Sequence, residues 1–226
     1  MREIVLDTET TGLNPAAGHR VVEVGCVELI NHVPSGREFQ VYVNPERDMP
    51  EDAFAIHGLS TAFLADKPVF AKVADAILAF LGDAPLVIHN AEFDLGFLNA
   101  EFARIDYRAL PASRGIDTVR LARRKNPGAP ANLDALCRRY AVDATARDRH
   151  GALLDAQLLA EVYLQLIGGR QPGLVLRRDG ESRAPALATG TASRAPRAAR
   201  PHAPSAAELK AHEAFVESLE DPIWRR

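Results

Sequence analysis

Hydrophobic residues occur in short runs near the start of the chain and at helical spacing further along it. Residues 2–6, 21–30 and 38–43 read as strands, and the turn-like residues 33–36 join the second strand to the third. Short connections of this kind favour antiparallel pairing. We therefore expect the fold to begin with three antiparallel strands.

The later pattern alternates between strand and helix. It predicts a buried strand over residues 86–89 and helices over residues 69–81, after Asn90, over 132–140 and over 151–167. Strand–helix units that follow antiparallel strands indicate one α/β domain, built on a mixed sheet flanked by helices.

The composition changes after Gly169. Residues 171–205 are rich in Pro, Ala and Arg and contain no aromatic residue, so they bury too little apolar surface to become ordered. Ser205 and Glu208 match a capping box, which predicts a helix start. We expect three segments: a folded domain over residues 1–170, a flexible linker over 171–205, and a C-terminal segment with a short helix over 206–226.

Composition and charge narrow the class of protein. The chain is 47% hydrophobic and 25% charged, which is ordinary globular usage. Residues 1–170 contain 18 Lys and Arg against 23 Asp and Glu, and this acidic body argues against tight, salt-driven nucleic-acid binding by the whole surface. Cys26 and Cys137 lie far apart in apolar runs, so we expect no disulfide framework, no cysteine zinc site and a reducing cytoplasm. No apolar run is long enough to cross a membrane, and the first residues lack a signal-peptide pattern.

Two carboxylates stand at the end of the first strand. If that strand continues past Asp7, the side chains of Asp7 and Glu9 leave the same face. Two carboxylates so placed repel each other unless a cation lies between them, and oxygen ligands of this kind suit Mg²⁺ or Mn²⁺. A solvated strand end is the alternative for this short pattern taken alone.

Two further acidic positions follow. Asp94 lies in a strand-to-helix turn, where it could simply favour the helix N-terminus. Asp155 opens the last helix among leucines, and an acid near an apolar face needs a partner. His150 must lie on the preceding loop to meet Asp155, because five helical residues would turn the two side chains apart. A plain polar loop residue is the alternative for His150.

The order of these elements resembles the DEDDh family of 3′–5′ exonucleases, which have a ribonuclease-H-like fold. The stretches 5–12, 56–58, 87–91 and 150–157 are similar to the proofreading exonucleases of bacterial replicative polymerases. The resemblance covers roughly residues 1–170 and extends weakly to the tail. It implies removal of mispaired 3′-terminal nucleotides during DNA replication.

The resemblance also implies a set of site residues. Two divalent cations, Mg²⁺ or Mn²⁺, would be held by Asp7, Glu9 and Asp155, with Asp94 acting largely through bound water. His150 would take the proton from the attacking water, since a histidine changes charge near neutral pH. The residues implied in substrate binding are Asp7, Glu9, Thr10, Leu13, Asp52, His57, Phe93 and Asp155. Packing in the core is the alternative for Leu13 and Phe93.

The implied partners begin with DNA, bound as the single-stranded 3′ end of a primer. The C-terminal segment would bind the catalytic α subunit of the polymerase through Leu209, Phe215, Leu219 and Trp224. Gln171, Leu174 and Leu176 resemble peptides that dock on bacterial sliding clamps, although a chance match is the alternative. A small third core subunit is also compatible with the resemblance, and the whole assembly would be a cytoplasmic, nucleoid-associated replisome.

Three other interpretations stay open at this point. The chain could be a stand-alone exonuclease acting on RNA or single-stranded DNA, because the same motifs serve there. It could chiefly be a scaffold that stabilises a polymerase, although an intact set of catalytic positions speaks against a scaffold alone. The C-terminal segment could also pack back onto residues 1–170 instead of binding a partner.

Overall fold

A computed structural model describes residues 1–145, 147, 149–169 and 203–219. The strands are β1 (Arg2–Thr10), β2 (Val21–Ile30), β3 (Val33–Tyr42), β4 (Leu86–Ile88) and β5 (Gly115–Asp117). The helices are α1 (Glu51–His57), α2 (Thr61–Ala65), α3 (Phe70–Leu81), α4 (Ala91–Arg104), α5 (Thr118–Lys125), α6 (Leu133–Tyr140), α7 (Ala152–Leu166) and α8 (Ala206–Glu217). Residues 171–176 and Trp224, predicted to bind partners, lie outside the described residues.

The five strands form one mixed sheet in the order β3-β2-β1-β4-β5. The strand β1 pairs antiparallel with β2, β2 pairs antiparallel with β3, and β4 lies parallel to both β1 and β5. This arrangement confirms the predicted mixed α/β fold, with three antiparallel strands followed by strand–helix units.

Alternate side chains of β1 enter two separate hydrophobic clusters. Ile4 and Leu6 pack with α3 and α4 on one face of the sheet, whereas Val5 packs with α6 and α7 on the other. A strand buried on both faces has no solvated side, which explains the nearly continuous apolar run at the start of the chain. The acidic residues that follow this run therefore emerge between two layers of helices.

The hairpin between β2 and β3 differs from the prediction. Its turn is Asn31-His32, where both residues have left-handed backbone angles, with φ of 51° and 67°. Residues 33–36 were expected to form the turn, but they lie within β3. Pro34 is tolerated there because β3 is an edge strand, where a missing backbone donor need not break a ladder.

Helix starts follow the predicted capping residues with one exception. Asn132 accepts a hydrogen bond from the Ala135 amide, and Ser205 forms the capping box with Glu208, as predicted. Asn90 does precede α4, but it makes no side-chain cap, because its backbone is left-handed with φ of 73°. The pattern also failed to predict β5, α1, α2 and α5, which are short.

The described residues belong to two compact units. One contains residues 1–169 and carries the sheet, and the other contains residues 203–219 and carries α8. No helix among the described residues has the length and apolar character that crossing a membrane requires.

Candidate active site

The carboxylates of Asp7 and Glu9 share one face of β1. The strand continues to Thr10, so both side chains lie on the Val5 face, which is covered by α7. Burial, reinforced by the charges of Asp94 and Glu9, raises the pKa of Asp7 well above its usual range. Burial, followed by the charge of Asp155, raises the pKa of Glu9 to about 8. Both acids therefore favour the protonated form unless a cation lies beside them.

Asp94 enters from α4, which begins directly after β4. Its side chain is buried, and its Oδ1 accepts a hydrogen bond of 2.7 Å from the Thr8 hydroxyl. Burial raises the pKa of Asp94 to about 7 even though this hydrogen bond, like others to its carboxylate, opposes the shift. Asp94 is thus part of the acidic cluster and does more than favour a helix N-terminus.

Asp155 lies in the first turn of α7, and His150 lies on the loop before it, as predicted. The amide of His150 donates to the Ile56 carbonyl oxygen at 3.2 Å, which ties this loop to α1. Ligand atoms of Glu9, His150 and Asp155 all lie within 4.8 Å of one another. Asp7 and Asp94 lie outside that group of three.

Arg147 is a site residue that the sequence did not reveal. Its Nε donates to Asp155 Oδ1 at 2.5 Å, and its Nη2 donates to Asp155 Oδ2 at 2.6 Å. A third bond goes from Nη1 to Asp134 on α6. Both Arg147 and Asp155 are buried, so this bidentate ion pair neutralises one carboxylate of the acidic cluster. In the sequence, Arg147 is indistinguishable from the other basic residues of its loop.

The same guanidinium constrains which ring nitrogen of His150 carries a proton. Arg147 Nη2 lies 2.8 Å from His150 Nδ1, and a guanidinium has no acceptor, so Nδ1 must accept this hydrogen bond. The proton of the neutral ring then lies on Nε2. His150 Nδ1 is also 3.1 Å from Asp155 Oδ2, but without a proton it donates nothing there. The Nδ1 lone pair is therefore engaged by Arg147.

A cavity of about 510 Å³ opens beside the carboxylates. It is lined by the predicted substrate contacts outside the acidic cluster, which are Thr10, Leu13, Asp52, His57 and Phe93, together with Glu9. The side chain of Leu13 is 83% exposed, so the alternative that it packs in the core is wrong. Phe93 is half-buried against the ring of Phe97 and also lines the cavity, so it combines both roles.

His57 presents a hydrogen-bond donor at this cavity. Its Nδ1 accepts from the Leu59 amide at 3.0 Å, which leaves the proton of the neutral ring on Nε2. That buried Nε2 has no hydrogen-bond partner of ordinary geometry among the described residues, although a backbone contact with Thr10 raises the pKa of the ring against the effect of burial. Burial is the main cause that lowers the pKa of His57, so the ring stays neutral and can donate to a ligand oxygen.

The other predicted binding residues lie on α8 or outside the described residues. Leu209, Phe215 and Leu219 are exposed by 50%, 60% and 37%. Gln171, Leu174, Leu176 and Trp224 cannot be placed, because they lie outside the described ranges.

Glu23 is a buried acid beside the site that the sequence analysis missed. It stands in the apolar run of β2, and its pKa is raised, mainly by burial. An acid inside a mostly apolar strand is a signal that should have prompted a search for its partner.

Known proteins resemble this chain over most of its length. A family model described as exonuclease matches residues 4–163. The DNA polymerase III subunit epsilon of Rickettsia felis is 56% identical over 174 residues, which cover 76% of this chain and 76% of that protein.

Solved structures show the same fold. Exonuclease X in complex with 5′ overhanging duplex DNA is 27% identical, with a TM-score of 0.57 over 73% of this chain and 90% of that one. The nuclease domain of 3′hExo, a DEDDh family member bound to rAMP, is 20% identical, with a TM-score of 0.64 over 74% of this chain and 91% of that one.

Proposed function

The chain belongs to the exonuclease family and, within it, to the epsilon subunits of DNA polymerase III, and we propose from this how its acidic cluster works. It is a 3′–5′ exonuclease that removes mispaired terminal nucleotides for a replicative polymerase. The observation that carries the mechanism is the crowding of Asp7, Glu9, Asp94 and Asp155, whose mutual repulsion calls for divalent cations.

The donor set fits the divalent cations that the family uses. Every carboxylate oxygen is a hard ligand, which suits Mg²⁺ or Mn²⁺ better than a softer metal. Asp7, Glu9 and Asp155 would hold two such cations, and Asp94 would contribute through bound water. Cations bound there stabilise the charge that develops on the phosphate and on the leaving 3′ oxygen.

His150 is the proposed general base. It is half-exposed at the mouth of the cluster, with Nδ1 within 3.1 Å of the Asp155 carboxylate. To take a proton from water, Nδ1 must first lose its hydrogen bond from Arg147, because one lone pair cannot serve both. Release of Arg147 therefore frees the Asp155 carboxylate and the base together.

The 3′-terminal nucleotide would occupy the cavity beside Glu9. Its volume of about 510 Å³ lies within the range of small-ligand sites. His57 Nε2 offers a proton to a nucleotide oxygen, Thr10 and Asp52 offer polar contacts, and Leu13 and Phe93 offer apolar surface to the base and sugar. The exposed position of Leu13 at the rim suits contact with a base that has left its pair.

The epsilon family implies a polymerase partner and a DNA substrate. We assign the polymerase contact to residues 206–226, through Leu209, Phe215, Leu219 and Trp224. We assign a sliding-clamp contact to Gln171, Leu174 and Leu176, and a small third core subunit completes the proposed assembly, which would work in the cytoplasm at the nucleoid.

The direct test removes one carboxylate at a time. The experiment uses the purified full-length parent and the variants Asp7→Ala and Asp155→Ala. Each is incubated with matched and 3′-mismatched primers, first with Mg²⁺ and then with EDTA. Both variants should release no nucleotide while keeping the parental circular dichroism, whereas Asp66→Ala, which removes an exposed acid at the end of α2, should behave as the parent. Hydrolysis by either variant at the parental rate under saturating Mg²⁺ would contradict the assignment.

A further inference from the structure

Glu23 lies between the metal-facing acids and the start of α7. The strand register places Glu23 directly opposite Glu9, and its side chain is 2% exposed. Its Oε1 accepts a hydrogen bond of 2.7 Å from Gln40 Nε2, and its Oε2 accepts one of 3.2 Å from the Ala152 amide. With both oxygens engaged by protein donors, Glu23 has a different role from Glu9.

The bond to Ala152 satisfies a helix end that has no cap of its own. Gly151 is the N-cap residue of α7 and has no side chain to accept from the first-turn amides. Such amides need acceptors when they are buried, and a negative charge at a helix N-terminus also interacts favourably with the helix dipole. Glu23 supplies both from a strand that is 129 positions away in the sequence.

Gly25 brings the same strand into contact with the same helix turn. A Cβ atom at Gly25 would lie 2.2 Å from the Ala152 carbonyl carbon and from the Leu153 nitrogen. No other residue type allows the backbones of β2 and α7 to approach this closely. Strand and helix are thus joined twice within one turn, once by direct contact and once by the Glu23 carboxylate.

We propose that Glu23 is a positioning residue for the hydrolytic reaction, which acts by capping α7 and so holding Asp155 against Glu9. Asp155 lies in the turn that Glu23 caps, and Glu9 is the cross-strand partner of Glu23, so this carboxylate connects two proposed metal ligands through the backbone. The inference rests on the proposed role of Asp155. Residues that orient metal ligands typically change metal affinity or activity about 10–100-fold when they are removed.

The test compares Glu23→Ala with Glu23→Gln in the full chain. Glu23→Ala should raise the Mn²⁺ Kd by about 10–100-fold in calorimetry. It should also lower kcat on a single-stranded oligonucleotide by about 10²-fold, because small displacements of reacting groups are costly. The KM for the oligonucleotide should stay at the parental value. Glu23→Gln keeps an acceptor for Ala152 and should recover most of both quantities.

Hydrogen exchange separates this inference from the proposed function. The amides of Ala152 and Leu153 should exchange faster in Glu23→Ala than in the parent, whether or not the chain hydrolyses DNA. Glu28→Ala is the matched control, since it removes another buried acid of β2 whose partners are Arg2, Ser35 and Arg37. It should lower Tm yet leave kcat, the Mn²⁺ Kd and α7 exchange as in the parent.

Two results would overturn the inference. One is a folded Glu23→Ala whose Mn²⁺ Kd and α7 exchange match the parent. The other is a Glu23→Gln as damaged as Glu23→Ala, which would show that an acceptor for the Ala152 amide is not enough to hold this end of α7 in place. If Glu23→Ala does not fold, Glu23→Met decides, because it keeps most of the side-chain volume but offers the Ala152 amide no carboxylate acceptor; parental Mn²⁺ binding and exchange in that variant would reject the proposal.

Discussion

At the scale of single residues, burial in this site opposes the ionisation of its carboxylates. Burial raises the pKa of Asp7, Glu9 and Asp94, and neighbouring acids raise it further at Asp7 and Glu9, so each resists ionisation in the absence of a cation. Arg147 offsets part of this effect by pairing with Asp155. The same contact occupies the lone pair of His150. Charge neutralisation at Asp155 and the availability of the proposed base are therefore linked through one guanidinium.

Removal of His150 tests the general-base role. His150→Ala should lower kcat by about 10²–10⁴-fold, which is the usual contribution of a positioned general base. Mn²⁺ affinity measured by calorimetry should change little, because His150 is proposed as a base and not as a metal ligand. A ring nitrogen of His150 nevertheless lies within 4.8 Å of carboxylate oxygens of Glu9 and Asp155. A large loss of Mn²⁺ affinity would instead make His150 a ligand.

Removal of Arg147 tests whether it competes with the cations. Arg147→Ala should tighten Mn²⁺ binding by about fivefold or more, the usual lower range of coupling between two ligands of one site. Without metal, the variant should be less stable by about 3 kcal/mol, because a buried carboxylate loses its partner. Calorimetry and thermal unfolding in EDTA measure the two effects.

Arg124→Ala is the matched control for that experiment. It removes the same charge from an exposed position on α5, so it corrects for the general electrostatic effect on Mn²⁺ binding. Equal tightening in both variants would show that Arg147 acts only through net charge.

At the scale of helices and strands, periodicity predicted the long elements well. The strand Val21–Ile30 and the helices α3, α4, α6, α7 and α8 were found within a few residues of their predicted bounds. The turn of the β2–β3 hairpin was misplaced because Pro34 and Gly36 read as turn residues, whereas the left-handed pair Asn31-His32 carries no Gly. The helices α1, α2 and α5 have at most eight residues, too few to show a clear period. The equally short α6 was predicted from its N-cap residue Asn132.

The site divides in the same way into residues that the sequence revealed and residues that only the folded structure brings together. The set Asp7, Glu9, Asp94, His150 and Asp155 could be proposed from the sequence because the order of its motifs resembles a known exonuclease family. Contacts between elements that are distant in the sequence could not be predicted in this way. Glu23 reaches α7 through strand pairing, and Arg147 reaches Asp155 through a loop whose path no local pattern predicts.

The junction of β1, α4 and α7 predicts a pH dependence of stability. Glu9 and Asp94 ionise with pKa values of about 8 and about 7 in the folded chain, against usual values of 4.5 and 3.8. The folded chain therefore binds more protons than the unfolded chain between these limits, so the free energy of unfolding falls as pH rises. In EDTA, Tm should be highest near the lower limit and should drop through pH 7–8.

Divalent cations should weaken this trend. They replace the protons on the carboxylates, so the gain in Tm from saturating Mn²⁺ should grow with pH. Thermal unfolding between pH 5 and pH 9, with EDTA or Mn²⁺, measures both trends. Glu9→Gln, which removes one of the titrating acids, should flatten the EDTA curve, and a curve with the parental slope would contradict the assignment.

At the scale of the whole molecule, two features bear on binding: the net charge of the chain and the exposed apolar residues of α8. The chain carries a net charge of −3, so the molecule as a whole gains little salt-driven affinity for DNA. The α8 helix has 12 residues and exposes Leu209 and Phe215. A helix of this length is marginal alone in water, so exposed apolar side chains on it favour a binding partner.

Deletion of residues 206–226 tests whether that partner is the polymerase. Because the proposed catalytic residues all lie within residues 1–155, the truncated chain should hydrolyse a free oligonucleotide at the parental rate. It should no longer co-elute with the polymerase catalytic subunit in gel filtration. Leu209→Ser with Phe215→Ser should weaken co-elution without shortening the chain, whereas Lys210→Ala, an exposed polar position on the same helix, should not.

The deletion also predicts a kinetic effect on the assembled enzyme. If residues 177–205 act as the flexible tether that the sequence predicts, a chain of about 29 residues would span roughly 30 Å. A bound C-terminal segment would then keep the exonuclease at high local concentration near the primer end. Excision of a mismatch in the presence of polymerase should therefore slow markedly after the deletion, although hydrolysis of free oligonucleotide does not. Co-elution that survives the deletion would move the polymerase contact onto residues 1–170, and an unchanged excision rate would show that tethering is not what brings this acidic chain to DNA.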